Sequence, residues 1–264
     1  MASILIYGNK SIVKPFTKAL KAQGNQPFTI TPHQDYDPNS IHIHKDIFAL
    51  QQKDLPAVSY AYYFPVLIND DLVQYKKSYI HGLCHLLQLL PTSTKVILGS
   101  SEKVYDDLLG QTVTENTLIQ SDCPKSRVIQ TAEKQVINSQ HPYTILRMAN
   151  VYYSITDIEH QIKQQTIGYS QRQHMVNQIH INDCINALLH LAPYQGIYNV
   201  TDRGPLPLNT ILSLISARSG LVVKSPKRWI NRAKGVRLSP AKLLGTGFHF
   251  ETPSMIGHTE TEST

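Results

Sequence analysis

Ser3-Ile4-Leu5-Ile6-Tyr7-Gly8-Asn9-Lys10-Ser11-Ile12-Val13 is the stretch on which the fold turns. An apolar β-type run stops at a glycine. Beyond it Phe16, Ala19 and Leu20 recur at helical spacing until Gly24 closes the segment. Proline lacks an N–H and belongs in a helix's first turn. Pro15 therefore predicts a late or irregular start, with regular helix from about Val13–Pro15 to near Gln23.

Working outward, the same unit recurs. Pro27-Phe28-Thr29-Ile30-Thr31 is a second β-type run, ended by Pro32, and Ile41-His42-Ile43-His44 alternates as a third. Val58-Ser59-Tyr60-Ala61-Tyr62-Tyr63-Phe64 is a fourth. Residues 70–90 turn helical, with Leu72, Tyr75, Tyr79, Leu83, Leu86, Leu87 and Leu90 on one broad face. Val96-Ile97-Leu98-Gly99-Ser100 and Tyr143-Thr144-Ile145-Leu146-Arg147 are further strands, with a helix predicted over 130–139 between them. Strands alternating with helices imply an α/β fold, a doubly wound parallel sheet covered on both faces. Beyond residue 150 the alternation loosens, and 181–191 and 208–218 read as helices. The expected organisation is a Rossmann-type core over 1–150, a smaller interleaved C-terminal lobe over 151–257, and a tail at 258–264 without an apolar anchor.

The 264 residues are 41% hydrophobic and 17% charged, enough to bury a core without staples. Three cysteines, Cys84, Cys123 and Cys184, stand far apart, in no metal-ligand spacing. With no charged leader and no apolar run of about eighteen residues, a soluble protein of a reducing cytoplasm is expected. His42 and His44 share a strand face without a third ligand, so no metal is expected. The net charge is +6, and basic residues thicken from Lys224 through Lys227, Arg228, Arg232 and Lys234 to Arg237 and Lys242. That segment reads either as a solvated face or as a site for phosphates or nucleic acid.

In a doubly wound sheet the ligand crevice lies at the carboxyl ends of the strands, so the first turn matters most. A dinucleotide pyrophosphate needs glycines there. Gly8 is present, but Lys10 and Val13 occupy the other glycine positions.

The rest of the chain supplies more. Val96-Ile97-Leu98-Gly99-Ser100-Ser101-Glu102-Lys103-Val104-Tyr105 resembles the strand-plus-serine segment of extended short-chain dehydrogenases, and Glu115 follows at the spacing of their acidic residue. Ile145-Leu146-Arg147-Met148-Ala149-Asn150-Val151-Tyr152 is similar to their Leu-Arg strand. Gln178-Ile179-His180-Ile181-Asn182-Asp183-Cys184 and Tyr198-Asn199-Val200-Thr201-Asp202 resemble the elements that follow, in the same order. The resemblance is to the NAD-dependent epimerase/dehydratase superfamily, in its atypical short-chain dehydrogenase branch.

That resemblance implies NAD or NADP as cofactor, a C-terminal lobe closing over substrate, and roles for particular residues. Gly8, Ser11 and Ile12 would line the pyrophosphate turn, and Asp46 and Ile47 would sit beside the adenine. Tyr62, in the aromatic cluster with Tyr60 and Tyr63, would lie where cofactor and substrate meet. Ser101 takes the place of the active-site serine. Arg147 is the candidate anion clamp, with Asn150 and His180 on the substrate side; His180 and Asp183 also fit a role in orienting the lobe by hydrogen bonds.

The family's Tyr-x-x-x-Lys pair is missing. Aligned on Ala132-Glu133, its slots hold Lys125 and Ile129, with Arg127 nearby, as in a subgroup sharing this loss. Tyr105 or a desolvated Lys125 would have to replace the lost acid-base group. The second strand ends Thr31-Pro32-His33, with neither an acid for ribose hydroxyls nor an arginine for a phosphate, which predicts weak binding and little preference between NAD and NADP. Three functions remain open: an NAD(P)-binding protein of the epimerase/dehydratase type acting on a small sugar- or nucleotide-linked substrate, a non-catalytic dinucleotide sensor or scaffold, and a basic nucleic-acid-associated member of the fold.

Overall fold

A computed structural model of the chain describes residues 1–32, 37–154, 174–219 and 235–252. In chain order these form β1 (Ser3–Tyr7), α1 (Lys10–Ala22), β2 (Gln26–Ile30), β3 (Ile41–Ile43), β4 (Tyr60–Tyr63), α2 (Leu72–Tyr75), α3 (Leu83–Leu89), β5 (Lys95–Ser101), β6 (Gln111–Val113) and α4 (Pro124–Ile137). Then follow β7 (Tyr143–Met148), β8 (Asn150–Tyr152), β9 (Met175–Val176), β10 (Gln178–His180), α5 (Ile181–His190), β11 (Gly196–Val200), β12 (Leu206–Pro207), α6 (Leu208–Ser219), β13 (Val236–Leu238) and α7 (Ala241–Leu244). The central sheet is parallel, with seven strands in the order β11-β7-β5-β4-β1-β2-β3. Tyr7 at the end of β1 sits level with Ile30 of β2 and Tyr63 of β4. After β3 the chain returns to the other side of β1, so the strand order switches between β1 and β4. This is the expected doubly wound sheet.

The chain divides into two compact units: residues 1–104, 120–147 and 185–198, and residues 105–119, 148–184 and 199–264. In the first, the strand apolar runs are buried on both faces, with Leu5, Ile6, Ala61, Tyr63, Leu98, Ile145 and Leu146 sealed from solvent. Phe16 of α1 meets the Tyr62 ring edge-on at 4.7 Å. In the second unit, β8 pairs with β10 and β6 with β13, both parallel, while β9 and β12 run antiparallel. Tyr152, Ile211 and Ile215 make a small apolar cluster there, backed by Val176 and Leu206.

The start of α1 corrects the expectation drawn from Pro15. The helix runs unbroken from Lys10, through Pro15 in its interior. Asn9 caps it: its side chain accepts the Ser11 N–H at 3.3 Å, and its carbonyl accepts from Ile12 and Val13. An interior proline costs about 3 kcal/mol. Burying Ile12, Val13, Phe16 and Leu20 contributes roughly 1.5–3 kcal/mol each, so the apolar stripe wins. The far end follows the sequence. Gly24 has φ +77°, its N–H reaches Lys21 O, and the Asn25 N–H reaches Leu20 O, a Schellman stop. Pro15→Ala is expected to raise the melting temperature by a few degrees, since restoring one helical bond outweighs the freer unfolded chain. A thermal melt that stays level or falls would contradict this account.

Two helices also differ from expectation. α4 begins at Pro124, well before residue 130, because Pro124 fills the first helical position behind Cys123 while Ser126, Val128 and Ile129 are buried. Residues 72–89 are helical as expected, but Lys76–Gly82 between α2 and α3 is wound as a π-helix. Within it, Ser78 O accepts the Tyr63 hydroxyl at 2.6 Å. Gly82 makes room for that hydroxyl, since a Cβ there would lie 2.5 Å from it.

The basic segment from Lys224 to Lys234, His33, and the tail at 258–264 lie outside the described residues. Among the described residues no helix is long and apolar enough to cross a membrane, and no cluster of His, Cys, Asp or Glu could hold a metal ion.

Candidate functional site

At the carboxyl ends of β1, β2 and β4, all within the first unit, lies a cavity of about 280 Å³. Gly8, Asp46 and Ile47 line it together. Asp46 caps the short turn Ile47–Ala49, accepting the Phe48 N–H at 2.9 Å, which turns Phe48 toward the cavity and buries Ile47. Ser11 and Ile12 do not line it: Ser11 is exposed on the first turn of α1, and Ile12 is buried in its stripe. Tyr62 is also elsewhere. It is sealed in the core, donates its hydroxyl to Leu188 O at 3.2 Å, and burial raises its pKa. Its neighbour Tyr63 faces the cavity instead, because successive strand residues point to opposite faces.

Sequence reasoning missed several groups at this cavity. Tyr7 stacks on Tyr63 with ring centroids 5.0 Å apart, and burial, then the Asp46 charge, push its phenol up to about 12. Gln74, Lys77 and Ser78 come from α2 and its π-helical continuation. Lys77 holds its ammonium 5.3 Å from the Phe48 ring centroid. Ser78 is 7% exposed, and its Oγ is buried without a hydrogen-bond partner. Their signal was a polar gap in an otherwise apolar helical stripe, which is indistinguishable from a solvated face in the sequence.

Gly8 has a packing duty as well. A Cβ there would lie 2.9 Å from Phe64 Cβ, so the ring of Phe64, at the end of β4, uses the space that glycine leaves. A second, small cavity beside Gly8, about 40 Å³, holds Lys10, His42 and Asp37. Asp37 supplies an acid near the end of β2 that the sequence reading did not find. Its carboxylate takes Thr17 Oγ1 at 2.6 Å and the Asn39 N–H at 3.0 Å. Burial opposes its charge, but these bonds, with His42 nearby, prevail and hold its pKa below the usual value.

The catalytic candidates do not assemble. Ser101 ends β5, where its Oγ accepts the Lys103 N–H at 3.2 Å. Tyr105 is 1% exposed and donates its hydroxyl to Asn199 Oδ1 at 2.7 Å, with Thr114 O at 3.1 Å; Asn199 is anchored in turn by Glu115. A phenol so held is a structural strut rather than a proton donor to substrate. Lys125 is corrected in direction. Its ammonium meets Asp70 Oδ2 at 2.8 Å and Asp70 O at 2.6 Å, and the Asp70 hydrogen bond raises its pKa, where a base at neutral pH needs it lowered.

Arg147 is likewise no free anion clamp. Buried in β7, it makes a forked pair with Glu133 of α4, Nε to Oε1 at 3.1 Å and Nη2 to Oε2 at 2.7 Å. Ser100 of β5 donates to the same carboxylate at 2.6 Å, so one buried cluster ties β5, β7 and α4. Asn150 is exposed on β8, its N–H bonded to Asn177 O at 3.2 Å. His180 is a lobe organiser: Nε2 donates to Tyr153 O at 3.1 Å, which leaves Nδ1 to accept from Asn182 N–H and Thr252 Oγ1, each at 3.2 Å. Asp183 accepts the N–H groups of Glu251 and Thr252.

The cavity, with Gly8, Asp46 and Ile47 around it, lies at the switch point of the sheet, where doubly wound folds bind their ligands. No family model matches the sequence, and no curated protein does. Solved structures match over nearly the whole length. A protein from Methylobacillus flagellatus, described as an NAD-dependent epimerase/dehydratase, is 22% identical with a TM-score of 0.78, covering 98% of this chain and 96% of that one. MoeE5, solved with UDP-glucuronic acid and NAD, gives a TM-score of 0.81 at 16% identity, covering 97% and 96%. WbmG of Bordetella bronchiseptica, solved with NAD, gives 0.78 at 12%, covering 96% and 90%. The chain has the fold of the NAD-dependent epimerase/dehydratases.

Proposed function

We propose that the protein binds NAD or NADP in the cavity at the ends of β1 and β2, in the manner of the epimerase/dehydratases, and takes a sugar- or nucleotide-linked ligand as substrate. The observation that carries this reading is the meeting of Gly8, Asp46 and Ile47 in one cavity at the switch point of a sheet of that family's fold. MoeE5 and WbmG carry NAD in structures of the same fold, and MoeE5 binds a UDP-sugar. Apolar walls from Ile30, Ile47 and Phe48 suit the adenosine half, with Lys10 near its phosphates. When bound, the nicotinamide supplies a hydride acceptor or donor.

Affinity is weak and hardly discriminates the two cofactors, because Lys10 stands at one of the tight-approach positions and Asp37 spends its carboxylate on Thr17 and Asn39. Hydride transfer is feeble too. With Tyr105 sealed and Lys125 held protonated by Asp70, neither candidate among the described residues serves as a positioned acid-base group, a loss of about 10²–10⁴-fold. Calorimetry and thermal shift with each cofactor are the test. Both should bind above the micromolar range with similar affinities, and a ligand at ~100 times its Kd should add about 2.7 kcal/mol of stability. Sub-micromolar binding of either, or no binding of both, would refute the reading. An NAD(P)H absorbance assay over sugar nucleotides should show no robust turnover.

A further inference from the structure

Helix α1 carries four of the chain's 25 lysines and arginines and no acid in its 13 residues. Lys10, Lys14, Lys18 and Lys21 are all exposed, while Ile12, Val13, Phe16 and Leu20 take the other side of the helix into the core. At about 100° and 1.5 Å per residue, the four lysines fall within an arc of about 80°, in a row about 16 Å long.

The row is not neutralised from within the fold. Among the described residues no ion pair reaches Lys14, Lys18 or Lys21, and Lys21 donates to the neutral Gln26 Oε1 at 3.4 Å. Asp37, which meets the helix at Thr17, is 6% exposed and spends its carboxylate on Thr17 and Asn39. Nor does the row serve the helix. Like charges three and four residues apart repel, and Lys10 and Lys14 stand at the end where the helix dipole favours anions. A stripe that works against the element bearing it is accounted for by a partner that brings the opposite charge.

The composition of the face chooses among polyanions. Its other exposed residues are Ser11 and Ala22, and the large apolar side chains of α1 are buried. Nothing is left to enter a lipid layer or to anchor an acidic protein. Lysine is a compact point charge without arginine's planar fork, which suits phosphates met in series. We propose that the exposed face of α1 docks a nucleic-acid strand through its phosphates, without regard to sequence. Lys14, Lys18 and Lys21 carry the contact, with Lys10 at its end. Of the four, Lys10 alone lines the larger cavity, so this surface is distinct from the cofactor reading.

Fluorescence anisotropy on the whole chain with a labelled, mixed-sequence single-stranded RNA is the test. Three or four phosphate contacts, at a slope of about −0.7 each, predict about 20- to 50-fold weaker binding on a fourfold rise in salt. Lys18→Gln with Lys21→Gln should weaken binding about tenfold and make the slope shallower by about 1.4. Lys53→Gln with Lys134→Gln removes the same charge from exposed sites elsewhere and should change affinity less than about twofold. The stripe variant should melt no lower than the parent, because repulsion within α1 has been relieved. No RNA binding at low salt, or an equal loss in the two double variants, would overturn the proposal. A lower melting temperature of the stripe variant would do the same, since the lysines would then serve the fold. Tighter retention on phosphatidylcholine–phosphatidylserine vesicles than on RNA would assign the face to a membrane instead.

Discussion

Arg147→Met is expected to lower the melting temperature by on the order of 10 °C. The substitution strands the Glu133 carboxylate in the core between β5, β7 and α4, and breaking a buried pair from one side costs about 3–5 kcal/mol. In a chain of this size each kcal/mol shifts the midpoint by roughly 2–4 °C. Removing both charges, as Arg147→Met with Glu133→Leu, should recover much of the loss, because apolar replacement of an ion pair is often near neutral. Recovery will be incomplete while Ser100 keeps its hydroxyl, which then lacks its acceptor; Ser100→Ala in the same background should restore the remainder. Urea denaturation of the set gives the answer. A single variant as stable as the parent would mean that the pair does not hold these elements together.

The second large effect is expected from Gly99→Ala in β5. A methyl there would overlap Cδ1 of the Phe64 ring and lie 3.0 Å from its Cε1. Phe64 cannot yield easily, being 5% exposed, against Phe16 on one side and Gly8 on the other. Overfilling a core typically costs about 1–3 kcal/mol. The displaced ring would press on the turn at Gly8, so nucleotide binding should weaken along with stability. Phe64→Leu in combination should relieve both. If Gly99→Ala alone leaves both melting and binding unchanged, Phe64 does not couple β5 to that turn.

Much of this fold can be read in the chain before any coordinates. Several strands of the central sheet are apolar runs next to a glycine or proline, and Ser3–Tyr7 is reproduced to the residue. What escapes is set by partners distant in sequence. Nothing around Arg147 announces Glu133, and the arginine alone fits an anion clamp as well as a buried fork. Tyr105 has the same difficulty, since its burial depends on Asn199, a residue 94 positions away. Pro15 misleads for another reason: a local backbone rule was weighed without the buried stripe that outweighs it. At the cavity, Gly8, Asp46 and Ile47 could be named from the order of motifs along the chain, and the structure brings these three to one lining. Lys77 and Ser78 could not, because a helical wheel at 3.6 residues per turn has no means of showing where the winding loosens.

That loosening leaves a mark on which changes of length the chain can bear. A π-helical turn holds one residue more than an α-helix needs to cover the same rise. Deleting one residue within Lys76–Gly82 would therefore give a smoother helix, not a broken one. It would leave Leu72–Tyr75 and Leu83–Leu89 close to the faces they now present, because the residue removed is the one that the wider turn absorbs. Elsewhere in a helix the loss of a residue turns one end by about 100° against the other; here the wider winding takes it up. Lys76–Gly82 is therefore the place along this helix where a shortening by one residue disturbs the core least.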